Sequence, residues 1–115
     1  MERLVRHLGP SRAIEILVTG RQFSAAEALA MGWVNEVVPA AELSDRVQEI
    51  ARTIAANAPL SVKAARLTVK ELTKAPADRD LARCQELVEA CYRSEDYREG
   101  QAAFAEKRRP EFKGR

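Results

Sequence analysis

Residues 43–72, LSDRVQEIARTIAANAPLSVKAARLTVKEL, decide the fold class. Leu43, Val47, Ile50, Ala51, Ile54 and Ala58 recur at helical spacing up to Pro59. Val62, Ala65, Val69 and Leu72 do the same before Pro76. Apolar residues three and four apart line one face of a helix, and a proline, with no N–H to donate, marks where each run stops. Two long amphipathic helices are the reading. Downstream, Asp78 is a plausible N-cap for a third stripe made of Leu81, Cys84, Val88 and Cys91. Ser94, followed by the acidic Glu95 and Asp96, starts a fourth helix that is expected to run through Arg108. From Arg109 the tail is basic and irregular.

Upstream the elements are shorter. Pro10 and Ser11 open a segment with Ala13, Ile14, Leu17 and Val18 as its apolar positions, and Gly20 sits where a left-handed C-terminal cap belongs. Ser24 with Glu27 three residues later spells a capping box, and Gly32 closes that helix. Trp33 to Val38 is the one strand candidate, β-branched and ended by Pro39, although a single strand cannot make a sheet. Aromatic residues make up only 5% and alanine is abundant, which favours helix over sheet. With no internal repeat, linker or shift of composition, the expected fold is mainly α with one short strand, a single segment spanning residues 1–115.

Size and charge narrow the function. A 115-residue chain holds one domain at most, with a small core for which a neighbouring domain or subunit would matter. Nineteen Lys and Arg against 17 Asp and Glu leave +2, with the signs mixed, so no bulk electrostatic drive toward nucleic acid or anionic lipid is evident. The exception is the cluster Lys107, Arg108, Arg109, Lys113 and Arg115. No apolar stretch resembles a membrane span, and charged Glu2, Arg3 and Arg6 occupy the place where a signal peptide needs apolar residues. A cytoplasmic location is expected. Cys84 and Cys91 lie on one helical face but roughly 10 Å apart by helix rise, beyond bridging distance, and read as reduced core thiols.

Most catalytic chemistry fails at the residue inventory. There is no Gly-rich phosphate loop, no G-x-S-x-G, no C-x-x-C, and only one histidine. His7, on an arginine-flanked segment, reads as solvated or helix-capping. Glu2 and Glu15 lack an apolar surround that would raise a carboxylate pKa and read as surface groups. Lys63, Arg66, Lys70 and Lys74 form a basic stripe at spacings of three and four, which reads as a solvated face because no aromatic residues interleave it. Phe104 precedes Lys107 by one turn, so a ring and an ammonium group share a face suited to a nucleotide-like ligand. By spacing alone, however, Phe104 reads as core and Lys107 as surface.

The order of the motifs changes that last reading. Leu17-Val18-Thr19-Gly20, then Ser24-Ala25-Ala26-Glu27-Ala28, then Gly32-Trp33-Val34-Asn35-Glu36-Val37-Val38-Pro39 resembles a run of the enoyl-CoA hydratase/isomerase (crotonase) family. Ala55-Ala56-Asn57-Ala58-Pro59 followed by Lys63 fits the region between. Ser94-x-Asp96-x-x-Glu99-Gly100-x-x-Ala103-Phe104-x-Glu106-Lys107-Arg108-x-Pro110-x-Phe112 is similar to the family's C-terminal signature. Together, in order, these pieces cover nearly the whole chain.

The resemblance implies the helical C-terminal, trimerisation part of the crotonase-like α/β spiral fold. The family's spiral core supplies two backbone N–H groups that stabilise a thioester enolate and, in hydratases, two glutamates that add water across the double bond. By the resemblance these groups lie upstream of Met1, so Glu2 is not a catalytic glutamate and the 115 residues are expected to be inactive alone. Two roles remain: packing on the spiral core in a homo-oligomer (a trimer or dimer of trimers in full-length form), and a contact with CoA. The match places Phe104 near the adenine end and Lys107 near the CoA phosphates. No cofactor is implied, since the acyl-CoA thioester is the substrate, and neither a metal, a nucleic acid nor a membrane is expected as partner. An alternative reading is a freestanding helical self-association or protein-interaction module without catalysis.

Overall fold

The computed structural model describes all 115 residues, which form six helices, two single 3-10 turns and connecting loops. They divide into two compact units, Met1–Arg46 and Val47–Arg115.

In the first unit, α1 (Glu2–Thr19) is two helical pieces broken at Gly9, whose φ of 76° and ψ of 165° no helix contains. Pro10 opens the second piece, as its fixed φ and missing N–H allow. The first piece, absent from the sequence reading, carries an Arg6–Glu2 ion pair of 2.7 Å and a bond from His7 Nδ1 to the Arg3 carbonyl of 2.8 Å. Gly20 ends α1 in the expected left-handed conformation. α2 (Ala25–Ala30) starts on a complete capping box, in which the Glu27 N–H donates to Ser24 Oγ and the Ser24 N–H to Glu27 Oε2. Those bonds, led by the Ser24 N–H and joined by the Arg21 guanidinium, hold the Glu27 carboxyl below its ordinary range. Arg21 also reaches Glu15, tying the end of α1 to the start of α2.

The expected strand at Trp33 to Val38 does not form. Residues 33–35 are bent and 36–38 have no regular structure, and a strand is defined by a neighbour's ladder of N–H and C=O groups that these 115 residues do not provide. Ala40–Glu42 then makes a 3-10 turn that leads into α3 (Leu43–Ala55).

The second unit continues with α4 (Pro59–Leu72), α5 (Leu81–Arg93) and α6 (Glu95–Ala105), in which α4 packs on α5 and α5 on α6. Pro59 stands in the first turn of α4, so it opens this helix; α3 has already ended at Ala55. The N-cap of α5 is Asp80, whose carboxylate accepts the Arg83 N–H at 2.8 Å, whereas Asp78 is spent in the turn Pro76–Asp78. Buried Glu71 explains the displacement. Its carboxylate accepts the Asp80 N–H at 2.9 Å and the Lys74 ammonium at 2.6 Å, which fixes where the chain can re-enter a helix. Both bonds, the Asp80 N–H first, hold the Glu71 carboxyl low.

The interior is small. Ala13, Ala28, Ala64, Cys84 and Ala103 are the buried apolar residues, and no large side chain is fully enclosed. Leu43, Val47, Ile50 and Ile54, the stripe that set the helical period of α3, are all exposed. The surface totals 9262 Å². A compact protein of this mass exposes about 6,300 Å², and even two separate compact bodies sharing the mass equally would expose about 7,600 Å². The helices therefore leave more surface uncovered than compact bodies of this mass would, large apolar side chains included. No helix is long and apolar enough to cross a membrane.

Candidate functional site

The motif from Ser94 to Phe112 folds into α6 and a tail strapped back along it, and its polar residues do much of the strapping. Ser94 caps α6 by accepting the Tyr97 N–H at 3.0 Å, with Glu95 and Asp96 beside the positive end of the helix. Asp96 is only 4% exposed; its two oxygens accept the Lys113 and Gly114 N–H groups at 2.6 and 2.8 Å, while its own N–H donates to the Arg115 carbonyl. Glu99, one turn on, accepts both terminal nitrogens of Arg108 and the Glu111 N–H. The Phe112 ring lies over Gly100, where an added Cβ would stand at ordinary contact distance, 3.7 Å.

α6 stops at Ala105, short of the expected Arg108, because the chain turns at Lys107. The Lys107 N–H returns to the Phe104 carbonyl at 3.3 Å and the Arg108 N–H to the Ala103 carbonyl at 3.0 Å, the paired bonds of a Schellman turn. Such a turn needs a left-handed residue at its corner. Lys107 takes that place with φ of 54° and is the only non-glycine residue in the chain with positive φ. A side chain there costs about 1 kcal/mol relative to glycine.

Phe104 departs from the reading by spacing. It is 88% exposed, so it is not a core residue, while Ala103 beside it takes the buried place. The ring borders an apolar cavity of about 340 Å³ that Leu60, Cys91, Tyr97 and Phe112 also line. Phe104 and Lys107 thus sit together at the end of α6, one an exposed ring and the other a cation on a strained corner. A ring and an ammonium on a fixed backbone corner suit a ligand with a flat heterocycle and a phosphate.

Around this pair the electrostatics are set by ion pairing. The Glu99 carboxyl is lowered to about 2, chiefly by the hydrogen-bonded Arg108 guanidinium and then by the Glu111 N–H. Arg108 is raised in turn by Glu99 and by Glu106, whose oxygen lies 2.6 Å from its Nε. Arg115 pairs with Glu95 at 3.0 Å. Two cations of the basic terminal cluster are therefore engaged within the chain.

The other expectations can be placed as well. Lys74 of the basic stripe is held by Glu71, while Lys63, Arg66 and Lys70 border a groove of about 510 Å³ floored by Ile54, Val62 and Leu67. Glu2 and Glu15 are exposed and paired with Arg6 and Arg21, and His7 is exposed with its ring 6.2 Å from that of Trp33. Cys84 is buried, Cys91 half-buried, and both are free thiols. No cluster of His, Cys, Asp and Glu could hold a metal ion. Sequence reasoning did not assign the clamps made by Asp96 and Glu99. The signal was present, since both belong to the C-terminal motif, but a carboxylate's backbone partners 12 to 18 residues away leave no periodic trace.

Comparison with known proteins gives the same answer over the whole chain. The family model for enoyl-CoA hydratase/isomerase matches residues 1–115. The chain belongs to the enoyl-CoA hydratase/isomerase family. It is 41% identical to a carnitinyl-CoA dehydratase of Proteus mirabilis, over 98% of this chain and 45% of that protein. It is 37% identical to an enoyl-CoA hydratase of Mycobacterium tuberculosis, over 98% of this chain and 42% of that one. Among solved structures, an enoyl-CoA hydratase of Geobacillus kaustophilus matches 98% of the chain with a TM-score of 0.86 and 39% identity, over 43% of its own length. The chain thus spans less than half the length of these relatives, consistent with the C-terminal portion that its motifs imply. Its helices match the helical C-terminal part of the crotonase fold.

Proposed function

We propose that this chain is the C-terminal helical part of a cytoplasmic enoyl-CoA hydratase/isomerase-type enzyme, that it supplies subunit contacts and part of the CoA pocket, and that it carries no catalytic group. The parent reaction is hydration of a 2-enoyl-CoA thioester or a shift of its double bond through a thioester enolate, with the oxyanion hole and the acid–base carboxylates supplied by an N-terminal spiral core. Relatives named for carnitinyl-CoA and enoyl-CoA support an acyl-CoA ligand. The observation that carries the reading is the exposed Phe104 ring one turn before a lysine at a strained left-handed corner. Phe104 packs against the adenine end of CoA, and the Lys107 ammonium meets its phosphates.

Calorimetric titration with CoA tests it. Lys107→Ala should weaken binding roughly tenfold, as loss of one charge-assisted hydrogen bond does, and should flatten the dependence on salt. Phe104→Ala should weaken it without changing the salt slope. Unchanged affinity in both variants would overturn the CoA contact.

A second reading, a freestanding self-association module, draws on the exposed row Leu43, Val47, Ile50 and Ile54. Intact mass of the protein from its own source separates the two. A mass well above 12.8 kDa supports one part of a complete homo-oligomeric enzyme, and a mass near that value supports the module.

A further inference from the structure

The corner at Lys107 is held from outside as well as by its own turn. Arg108, the next residue, places both terminal nitrogens on Glu99, at 2.5 and 2.9 Å, two turns back along α6. Its Nε lies 2.6 Å from Glu106, the residue before Lys107. One guanidinium therefore joins the two residues flanking the corner and fastens both to the body of the helix. Glu99 accepts the Glu111 N–H at 2.8 Å as well, so the chain is gripped again just past the turn. A lysine left to itself would relax toward negative φ, carrying its side chain with it. Planar two-point contact between guanidinium and carboxylate fixes direction as well as distance, which is what holding a dihedral requires.

We propose that Glu99 is a positioning residue which, through Arg108, keeps Lys107 in the left-handed conformation and so fixes where its ammonium stands beside Phe104. This rests on the CoA contact proposed above, and the test separates the two. Glu99 touches no ligand. It acts on the backbone of the residue that does.

The experiment compares the full chain with Glu99→Gln, Lys107→Ala, and Glu99→Gln carrying D-lysine at position 107 by semisynthesis. A D-residue prefers positive φ, so it supplies the corner without the clamp. Two quantities are read: affinity for CoA, and the 13Cα and 13Cβ chemical shifts of residue 107, which report its backbone conformation. Glu99→Gln is expected to lose three- to tenfold in affinity and to shift the residue 107 signals away from left-handed values, and D-lysine is expected to restore the affinity. Full affinity in Glu99→Gln, where Lys107→Ala has lost it, would overturn the proposal. So would a loss that D-lysine does not rescue while the signals stay left-handed, since Glu99 would then act by charge or fold alone. If Lys107→Ala binds CoA as tightly as the parent, the contact of Lys107 with CoA fails instead. The signals in Glu99→Gln then decide alone whether Glu99 holds the corner: a shift supports it and no shift overturns it.

Discussion

The helices α2 and α6 begin on a serine cap and end in the same kind of turn, and the corner residue of that turn differs. Each starts on a serine that accepts an N–H three residues on, and each closes on a Schellman turn with a left-handed corner. At the end of α2 the corner is Gly32, with φ of 73°, and nothing but the turn's own hydrogen bonds is needed there. At the end of α6 the corner is Lys107, and it comes with a bidentate ion pair, a third contact to Glu106 and a tail pinned at Glu111, Lys113 and Gly114. A glycine would make the same turn at lower free energy. The extra apparatus at α6 makes sense if the side chain at the corner matters, as the CoA contact proposed above requires.

The most disruptive way to break that contrast is to release the tail. Asp96 is buried and accepts two backbone N–H groups, so Asp96→Ala should cost about 3–6 kcal/mol, counted as two hydrogen bonds to a charged acceptor. Urea unfolding measures the loss, and amide exchange at Lys113 and Gly114 locates it. An unchanged midpoint with intact protection would mean that the strap is held elsewhere. The turn at Gly32 should be unaffected.

A smaller effect sharpens the comparison by exchanging the corners. Gly32→Lys should destabilise by about 1 kcal/mol, because a side chain is placed at positive φ without the supports that Lys107 has. Lys107→Gly should be neutral or stabilising by up to about 0.5 kcal/mol, the relief of φ strain being partly offset by the freer unfolded glycine, while CoA affinity falls. A loss of stability in Lys107→Gly would show that the lysine serves the fold, and the functional reading of the corner would lose its main support.

What could be read in advance follows from the same physics. Local signals were legible: the capping box at Ser24 and Glu27, the left-handed Gly20, the cap at Ser94 and the helical period of residues 43–72 each depend on residues within a few positions of one another. Signals that needed a partner were not. Asp80 displaced Asp78 as N-cap because Glu71, nine residues away, took its N–H, and Trp33 to Val38 had the residues of a strand but no neighbour to pair with. At the site, motif order singled out Phe104 and Lys107, but their exposure and the positive φ of Lys107 are three-dimensional facts. The helical stripes were legible as apolar, but their exposure in this chain was not, since period reports which face is apolar and not what lies against it.

The smallest expected effect is on pH, and it separates the two corners most cleanly. Glu99 titrates at about 2 in the folded chain, below the ordinary 4.5, because Arg108 and the Glu111 N–H favour its charged form. A carboxyl with a depressed folded pKa adds stability that is full above its unfolded value and is lost as pH falls through the folded one. The Lys107 corner should therefore loosen between about pH 4.5 and 2, first seen as faster amide exchange at Arg108 and Glu111. No carboxylate braces the backbone at Gly32, so exchange at Gly32 and Trp33 should follow only the general decline of the fold, including the weakening of the Glu27 cap at the far end of α2. Glu99→Gln is the control. In that variant the exchange of Arg108 and Glu111 should start faster at neutral pH and lose its extra acid dependence. If the two proteins show the same profile down to pH 2, the ion pair contributes nothing to the turn, and the contrast between the glycine corner and the lysine corner must have another origin.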